Sequence, residues 1–220
     1  MISIIIPTYN RSDSLKGTLE SITKQSFEPN DFEVIVIDNG STDDTKKICS
    51  TYEPVIKKFT YHYDDMPGLL TGRHKGAELA RGDILSFIDD DVELSPNWLN
   101  GIAESFDNPE ISLATGPCLP KFEVAPPEWL TYFWSDTPYG GKICTWLSLL
   151  DLGAEIVQIN PNYVLGLNFS IRKSVLIELG GFHPDCIPSH LQQYQGDGET
   201  GLTMKAEKSG LIALYNPKAM

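Results

Sequence analysis

The chain has 220 residues, 41% hydrophobic and 21% charged, with a formal net charge of −13 at pH 7. That surplus of carboxylates excludes sequence-independent nucleic-acid binding, which needs Lys and Arg on phosphates, and adsorption to an anionic membrane by bulk charge, a local basic patch aside. The longest apolar runs, such as "ISIII" and "EVIVI", are too short to cross a bilayer.

In chain order, "ISIIIP" is a continuous apolar, β-branched strand. It begins at Ile2 with no basic leader, so no signal peptide is expected. "RSDSLKGTLESITKQ" sets Leu15, Leu19 and Ile22 at helical spacing, with Ser12 or Asp13 as N-cap. "FEVIVID" is a second strand. "GSTDDTKKICSTY" opens a second helix, capped near Ser41 or Thr42. "FTYHY" is a third strand, and "LLTGRHKGAELARG" a short helix closed by Gly82. "DILSFID" is a fourth strand, "SPNWLNGIAESF" a helix with Pro96 near its first turn, and "ISLATG" a fifth strand. Apolar strands alternating with helices indicate βαβ units and a doubly wound, mostly parallel sheet over residues 1–116.

The pattern changes at residues 117–150, which are rich in Pro and aromatics and have no clean period. This stretch is either an excursion over a site or an irregular subdomain packed on the core. Order returns with "NFSIRKSVLIELGGF" as strand, helix and glycine turn, then "GDGETGLTMKAEKSGL" as helix and "LIALYNP" as a last strand. The chain reads as one domain of two halves, residues 1–116 and 117–220. It stops on "KAM" without a capping element, as a shortened chain would. Cys49, Cys118, Cys144 and Cys186 form no CxxC pair and are expected to be reduced structural thiols in a cytoplasmic protein.

In an open α/β sheet, ligands bind beyond the carboxyl ends of the strands. There the first strand delivers "PTYNR", the second Asp38 and the fourth Asp89. Asp89 and Asp91 are two apart, so an extended backbone points both to one face. Two such carboxylates make half a site for a hard divalent cation, with waters and substrate phosphates completing the shell. The other reading is a solvated acidic turn. Asp90 points the other way by this alternation and, with Glu93, is left to solvent. Asp38 either forms a turn or accepts hydrogen bonds from a base or ribose. Asp197 and Glu199 lie just before a helix, as caps or as a general base on a glycine-flexed loop. No GxGxxG follows the first strand, and neither a P-loop nor a GxSxG or HExxH motif occurs. His62, His74, His183 and His190 show no metal-ligand spacing.

Five stretches, "SIIIPTYNR", "VIVIDNGSTDDT", "ARGDILSFIDDDVELSPNWL", "GLNFSIRKSVLIELGGF" and "GDGETGLTMKAEKSGL", occur in one order across nearly the whole chain outside residues 117–160. In this the chain resembles the family 2 nucleotide-sugar glycosyltransferases of the A-type glycosyltransferase fold, which implies a nucleotide-binding half in residues 1–116 and an acceptor-binding half in 117–220. The resemblance implies a donor pocket of Pro7, Thr8, Tyr9, Arg11, Asp38, Arg73, Asp89 and Asp90, with Asp38 facing the base and Arg73 near the base or diphosphate. It implies Asp91 and Asp89 as the D-x-D pair on Mn2+ or Mg2+, and Asp197 as the base. Family members usually carry Glu-Asp where this chain has Gly196-Asp197, and a further His beyond the last strand that this chain does not reach.

The implied reaction is metal-dependent, inverting transfer of a sugar from a nucleotide-diphosphate donor, foremost a UDP-sugar, to a hydroxyl on a glycan or lipid-linked acceptor. The implied setting is polysaccharide or glycoconjugate synthesis in the cytoplasm, in peripheral contact with the inner membrane face. Trp129, Trp134 and Trp146 are expected to pack, or to stack on sugars or meet a lipid carrier. A sugar-nucleotide pyrophosphorylase would carry a Gly-rich basic loop, which "PTYNRSDS" lacks. A non-catalytic nucleotide- or glycan-binding module would bind donor without hydrolysing it.

Overall fold

A computed structural model describes residues 1–65, 68–182 and 198–220. Strands β1 (Ile2–Thr8), β2 (Phe32–Asp38), β3 (Phe59–Tyr63), β4 (Ile84–Ile88) and β5 (Ile111–Thr115) alternate with helices α1 (Ser12–Thr23), α2 (Thr45–Tyr52), α3 (Leu69–Leu79) and α4 (Trp98–Ser105). Short strands β6 (Ser135–Asp136), β7 (Lys142–Cys144), β8 (Leu149–Asp151) and β9 (Val157–Ile159) follow. The described part closes with β10 (Asn168–Arg172), α5 (Lys173–Glu178), α6 (Glu199–Lys208) and β11 (Ile212–Tyr215).

Eight strands form one sheet in the order β3-β2-β1-β4-β10-β5-β11-β9. The pairs β1–β2, β1–β4, β2–β3 and β5–β11 are parallel, whereas β10 runs antiparallel between β4 and β5. The continuous apolar runs follow from burial on both faces. Ile4, Ile6, Val34, Val36 and Ile88 face Leu15, Leu19, Trp98 and Ile102 of α1 and α4. Their neighbours Ile5, Ile35, Ile37 and Phe87 face Leu70, Val175, Leu176 and Leu202 of α3, α5 and α6. A period of two thus sorts one apolar run into two cores.

Residues 117–150 are neither structureless nor part of the large sheet. They hold the antiparallel sheet β6-β7-β8, joined to the segment that follows β5 by the Cys118–Leu150 bridge. Cys49, Cys118 and Cys144 are free and buried, and burial pushes the Cys49 and Cys118 thiols up to about 12. Cys186 lies outside the described residues, as do His183 and His190. Among the described residues no helix is long and apolar enough to cross a membrane.

Several helix ends differ from the sequence expectation. Arg11, not Ser12 or Asp13, occupies the N-cap position of α1, and Asp44, not Ser41 or Thr42, that of α2. Asp43 serves both. Its Oδ2 accepts from the Ser12 N–H at 2.9 Å, and its Oδ1 from the Thr45 N–H at 3.0 Å. The third helix ends at Leu79, before Gly82, and α4 starts after Pro96, at Trp98. Gly82 instead lies where a Cβ would crowd Met1 O and Ser3 Oγ.

Gly76 lets α3 lie close on β1, since a Cβ there would collide with Ile5 Cγ2. Gly76→Ala is therefore expected to cost about 1–3 kcal/mol, the usual range for overpacking. Urea unfolding measures it, and an unshifted midpoint would show that α3 has room to move.

Candidate functional site

Continuing the β1–β4 register past Ile5 and Phe87 brings Thr8 level with Asp90. The Thr8 hydroxyl donates to Asp90 Oδ2 at 2.6 Å. Arg11 Nη1 lies 3.2 Å from Asp90 Oδ1, and its Nη2 lies 2.5 Å from Asp91 Oδ2. One guanidinium thus spans two of the three aspartates. The Asp90 side chain is 5% exposed, which overturns its reading as a solvated residue. The reason is local: β4 ends at Ile88, and the chain turns through Asp90 and Asp91, so strand alternation stops applying. Burial pushes the Asp90 carboxyl above the usual range, and Thr8 and Arg11 hold it back only in part. Glu93 is exposed and paired with Lys121.

Asp89 takes a different partner. Its Oδ1 lies 3.7 Å from Nη2 of Arg73, whose side chain is 2% exposed. Arg73 Nη1 meets Glu199 Oε2 at 2.7 Å, and Nη2 donates to the Gly166 carbonyl at 3.2 Å. The guanidinium also lies 5.4 Å from the centroid of the Phe182 ring. Burial raises the Asp89 carboxyl; Arg73 opposes this, and Asp91, Glu199 and Asp90 add to it. Burial also pushes Glu199 up, but the Arg73 charge and hydrogen bonds from Arg73 and the Gly198 N–H outweigh it, and its carboxyl is held low.

Asp38 ends β2 beside Thr8 and is buried. Its Oδ1 accepts from the Ser41 N–H and its Oδ2 from the Tyr61 hydroxyl, both at 2.7 Å. The turn-forming reading is therefore visible in the structure, with both oxygens already bonded. Pro7 is buried in β1 beneath α3, where a Cβ on Gly72 would crowd it. Tyr9 is exposed at the rim. Beside it, Asn10 adopts φ 53°, a left-handed conformation that Asn tolerates better than most residues. The Asn10 N–H donates to Ser41 Oγ, and its Oδ1 accepts from the Thr42 N–H, tying the turns after β1 and β2 together. Asp197 lies outside the described residues, which resume at Gly198, directly before Glu199.

The resemblance-derived residues Thr8, Arg11, Arg73, Asp89, Asp90 and Asp91 thus meet at one edge of the sheet. Tyr61, Gly166 and Phe182 belong to the same assembly; Gly166 and Phe182 bound the stretch "GLNFSIRKSVLIELGGF", which gave them no role, and Tyr61 lies in none of the five stretches. A Cβ on Gly166 would collide with the Glu199 carboxylate. The segment after β5 starts from this edge too, through buried Cys118 and exposed Lys121. Its Trp129, Tyr132, Phe133 and Trp146 are exposed. Of the roles expected for these tryptophans, burial in a core does not hold for Trp146 or for Trp129, which meets only the Phe133 ring edge-on among the described aromatic side chains, because the small sheet leaves both uncovered; Trp134 is half-buried.

Residues 3–180 match the family described as glycosyl transferase family 2. The chain belongs to glycosyl transferase family 2. This family 2 chain is 25% identical over 224 residues to the glucosyl-dolichyl phosphate glucuronosyltransferase of Haloferax volcanii, covering 99% of itself and 67% of that protein. The mannosyltransferase PcManGT of Pyrobaculum calidifontis, solved with GDP-Man and Mn2+, superposes with a TM-score of 0.69 at 18% identity, over 99% of this chain and 55% of its own. S. aureus TarS 1–349, solved with UDP, gives 0.69 at 20% identity, over 98% and 60%. At these identities the solved structures speak for the fold alone. It is the A-type glycosyltransferase fold, a mostly parallel sheet flanked by helices.

A divalent cation fits the family 2 site in the kind of donor it offers. The carboxylates of Asp89 and Asp91 offer hard oxygen donors, their side chains 38% and 46% exposed. Asp89, Asp90, Asp91 and Glu199 meet two guanidiniums, so negative charge is in surplus there. Among the described residues, no three His, Cys, Asp or Glu side chains gather into a complete cage. Asp89 and Asp91 turn instead to different arginines, which suits a cation shared with substrate phosphates and water.

Thr8→Val keeps the shape of the side chain and removes the donor to buried Asp90. It is expected to cost about 1–3 kcal/mol at neutral pH, the penalty for a buried polar group left short of a partner. The variant's Asp90 pKa rises further, so its extra cost is present at neutral pH and shrinks as Asp90 protonates on acidification. Denaturation at several pH values measures this, and a pH-independent cost would place the effect elsewhere.

Proposed function

We propose that this family 2 domain is an inverting, divalent-cation-dependent glycosyltransferase. The donor is a nucleotide-diphosphate sugar, foremost a UDP-sugar, and the acceptor a hydroxyl on a glycan or lipid-linked carrier in polysaccharide or glycoconjugate synthesis. The observation that carries the reading is the cluster of Asp89, Asp90 and Asp91 on Arg11 and Arg73 at the carboxyl edge of the sheet. A family match over residues 3–180 supports it, as do UDP and GDP-Man in complexes of structural neighbours.

The nucleotide lies across the ends of β1, β2 and β4. Tyr9 covers it at the rim, and Asp38, held by Ser41 and Tyr61, faces the base. Arg11 and Arg73 fix the aspartates that meet the diphosphate. Asp89 and Asp91 would hold Mn2+ or Mg2+, and such a cation would supply positive charge beside the diphosphate. Asp197 takes the acceptor hydroxyl proton as the oxygen bonds to the anomeric carbon and the sugar–phosphate bond breaks. Single displacement inverts that carbon. Holding donor and acceptor in line supplies much of the remaining acceleration.

The acceptor side is the surface bearing Trp129, Tyr132, Phe133 and Trp146. Exposed Trp and Tyr suit sugar stacking and the boundary of a lipid phase. The name of the Haloferax volcanii relative, a glucosyl-dolichyl phosphate glucuronosyltransferase, supports a lipid-linked acceptor. The reading places the domain in the cytoplasm, in peripheral contact with the inner membrane face.

Calorimetry with manganese and UDP-, GDP-, CDP- and TDP-sugars identifies the donor. Asp91→Ala is expected to abolish manganese-dependent donor binding, and undiminished binding removes Asp91 from the cation site. Asp197→Asn is expected to bind donor as the wild type does while transfer falls on the order of 10²–10⁴-fold, the usual contribution of general base catalysis. Full transfer by that variant would rule Asp197 out as the base.

A further inference from the structure

The small sheet borders a cavity that the donor site does not use. Its volume is about 460 Å³, inside the usual range for a small-molecule site. Thr131 and Trp134 line it from the 3-10 turn Glu128–Phe133 and the residue after it, Lys142 and Asp151 from β7 and β8. Gly141 and Gly153 complete the lining with bare backbone. A Cβ on Gly153 would meet nothing within 4 Å, so that glycine leaves the space open.

The polar groups of this lining are mixed in sign and only partly engaged. Lys142 and Asp151 are register partners across β7 and β8. Asp136 stands 3.8 Å from the Lys142 ammonium, too far for a hydrogen bond. Asp151 Oδ1 accepts from the Gly153 N–H at 2.9 Å. Among the described residues neither Asp151 Oδ2 nor the indole N–H of half-buried Trp134 is hydrogen-bonded, though a covered indole N–H usually finds a partner. The Thr131 hydroxyl donates to the Glu128 carbonyl at 2.7 Å and keeps its lone pairs for a donor. One ammonium beside two carboxylates gives a phosphate no net attraction. A neutral sugar ring fits better. Its C–H face matches an indole, and its hydroxyls can accept from Lys142 and Trp134 and donate to Asp151.

The cavity is also tied to the reaction edge. Leu119 in its lining follows Cys118, whose backbone pairs with Leu150 of β8. Cys118 lies near enough to Asp89 for that carboxylate to add to the rise that burial imposes on the thiol. We propose that this cavity is a subsite for a neutral sugar ring of the acceptor glycan, with Trp134 as its platform and Lys142 and Asp151 as its hydroxyl contacts. This rests on the glycosyltransferase reading above.

Saturation-transfer NMR and calorimetry on the whole chain, without donor, test this with the methyl glycosides of glucose, galactose, mannose and N-acetylglucosamine. At least one is expected to bind in the millimolar range, and more tightly than methyl glucuronide or geranyl phosphate. Trp134→Ala should lose that binding, and Trp134→Phe should keep part of it. Asp151→Asn and Lys142→Ala should weaken it on the order of tenfold, the scale of a charge-assisted hydrogen bond. Both of those side chains are exposed, so they carry the test if Trp134→Ala melts early. Manganese-dependent UDP binding should be the same in every variant. UDP binding without binding of any glycoside overturns the inference and leaves the glycosyltransferase reading standing. Glycoside binding unchanged in Trp134→Ala, Asp151→Asn and Lys142→Ala overturns it too, because the sugar then sits elsewhere. So does tighter binding of methyl glucuronide or geranyl phosphate than of any neutral glycoside. A wild type that binds glycosides but no nucleotide-sugar removes the glycosyltransferase reading, and the acceptor role with it.

Discussion

Arg73 places a positive charge where water scarcely reaches, with 2% of its side chain exposed. A buried charge is costly unless it is paired and hydrogen-bonded. Its compensation comes from three separate segments: the turn after β4, the Gly166 carbonyl before β10, and Glu199 at the start of α6. Each must reach its place before the charge is satisfied. Such pairs add little net stability compared with an apolar replacement, yet breaking one partner is strongly destabilising. The arrangement therefore fixes geometry, and the geometry it fixes is that of the aspartate edge.

The direction of β10 makes this possible. Running antiparallel between β4 and β5, it brings its amino end to the edge where its neighbours end. Asn168 then closes that edge. Its Oδ1 accepts from Trp98 Nε1 at 2.9 Å, its Nδ2 donates to Ala219 O, and its carbonyl accepts from the Thr115 hydroxyl. Helix α4, strand β5 and residues 216–220 are thereby held behind the site. Gly101 and Gly116 leave room for the backbone at Ala219. A parallel β10 would have put Gly166 at the opposite edge, away from Arg73.

The strands are legible in the sequence because burial on both faces makes each a continuous apolar run. The first helix is legible from Leu15, Leu19 and Ile22. The aspartates and arginines follow from motifs that match a family. What the sequence hides is set across long separations. Asp43 caps a helix that begins 31 residues earlier, and Arg73 finds Glu199 126 residues away. No local pattern reveals that Asp90 turns inward, since the turn after Ile88 breaks the alternation by which it was read. The exposure of Trp129 and Trp146 is hidden for a related reason, because composition does not say whether a small sheet covers its own aromatics. Asp197, the expected base, falls outside the described residues.

Asp43 has one further consequence, and it concerns motion. One carboxylate holds the first turns of both α1 and α2, so neither helix start can fray without loosening the other. Their amides would then open as one unit in the sense of local unfolding. Asn10 links the same two segments through Ser41 and Thr42. The loops that flank a bound nucleotide would then breathe in concert, and the tempo of that shared opening would bear on how quickly a spent nucleotide departs.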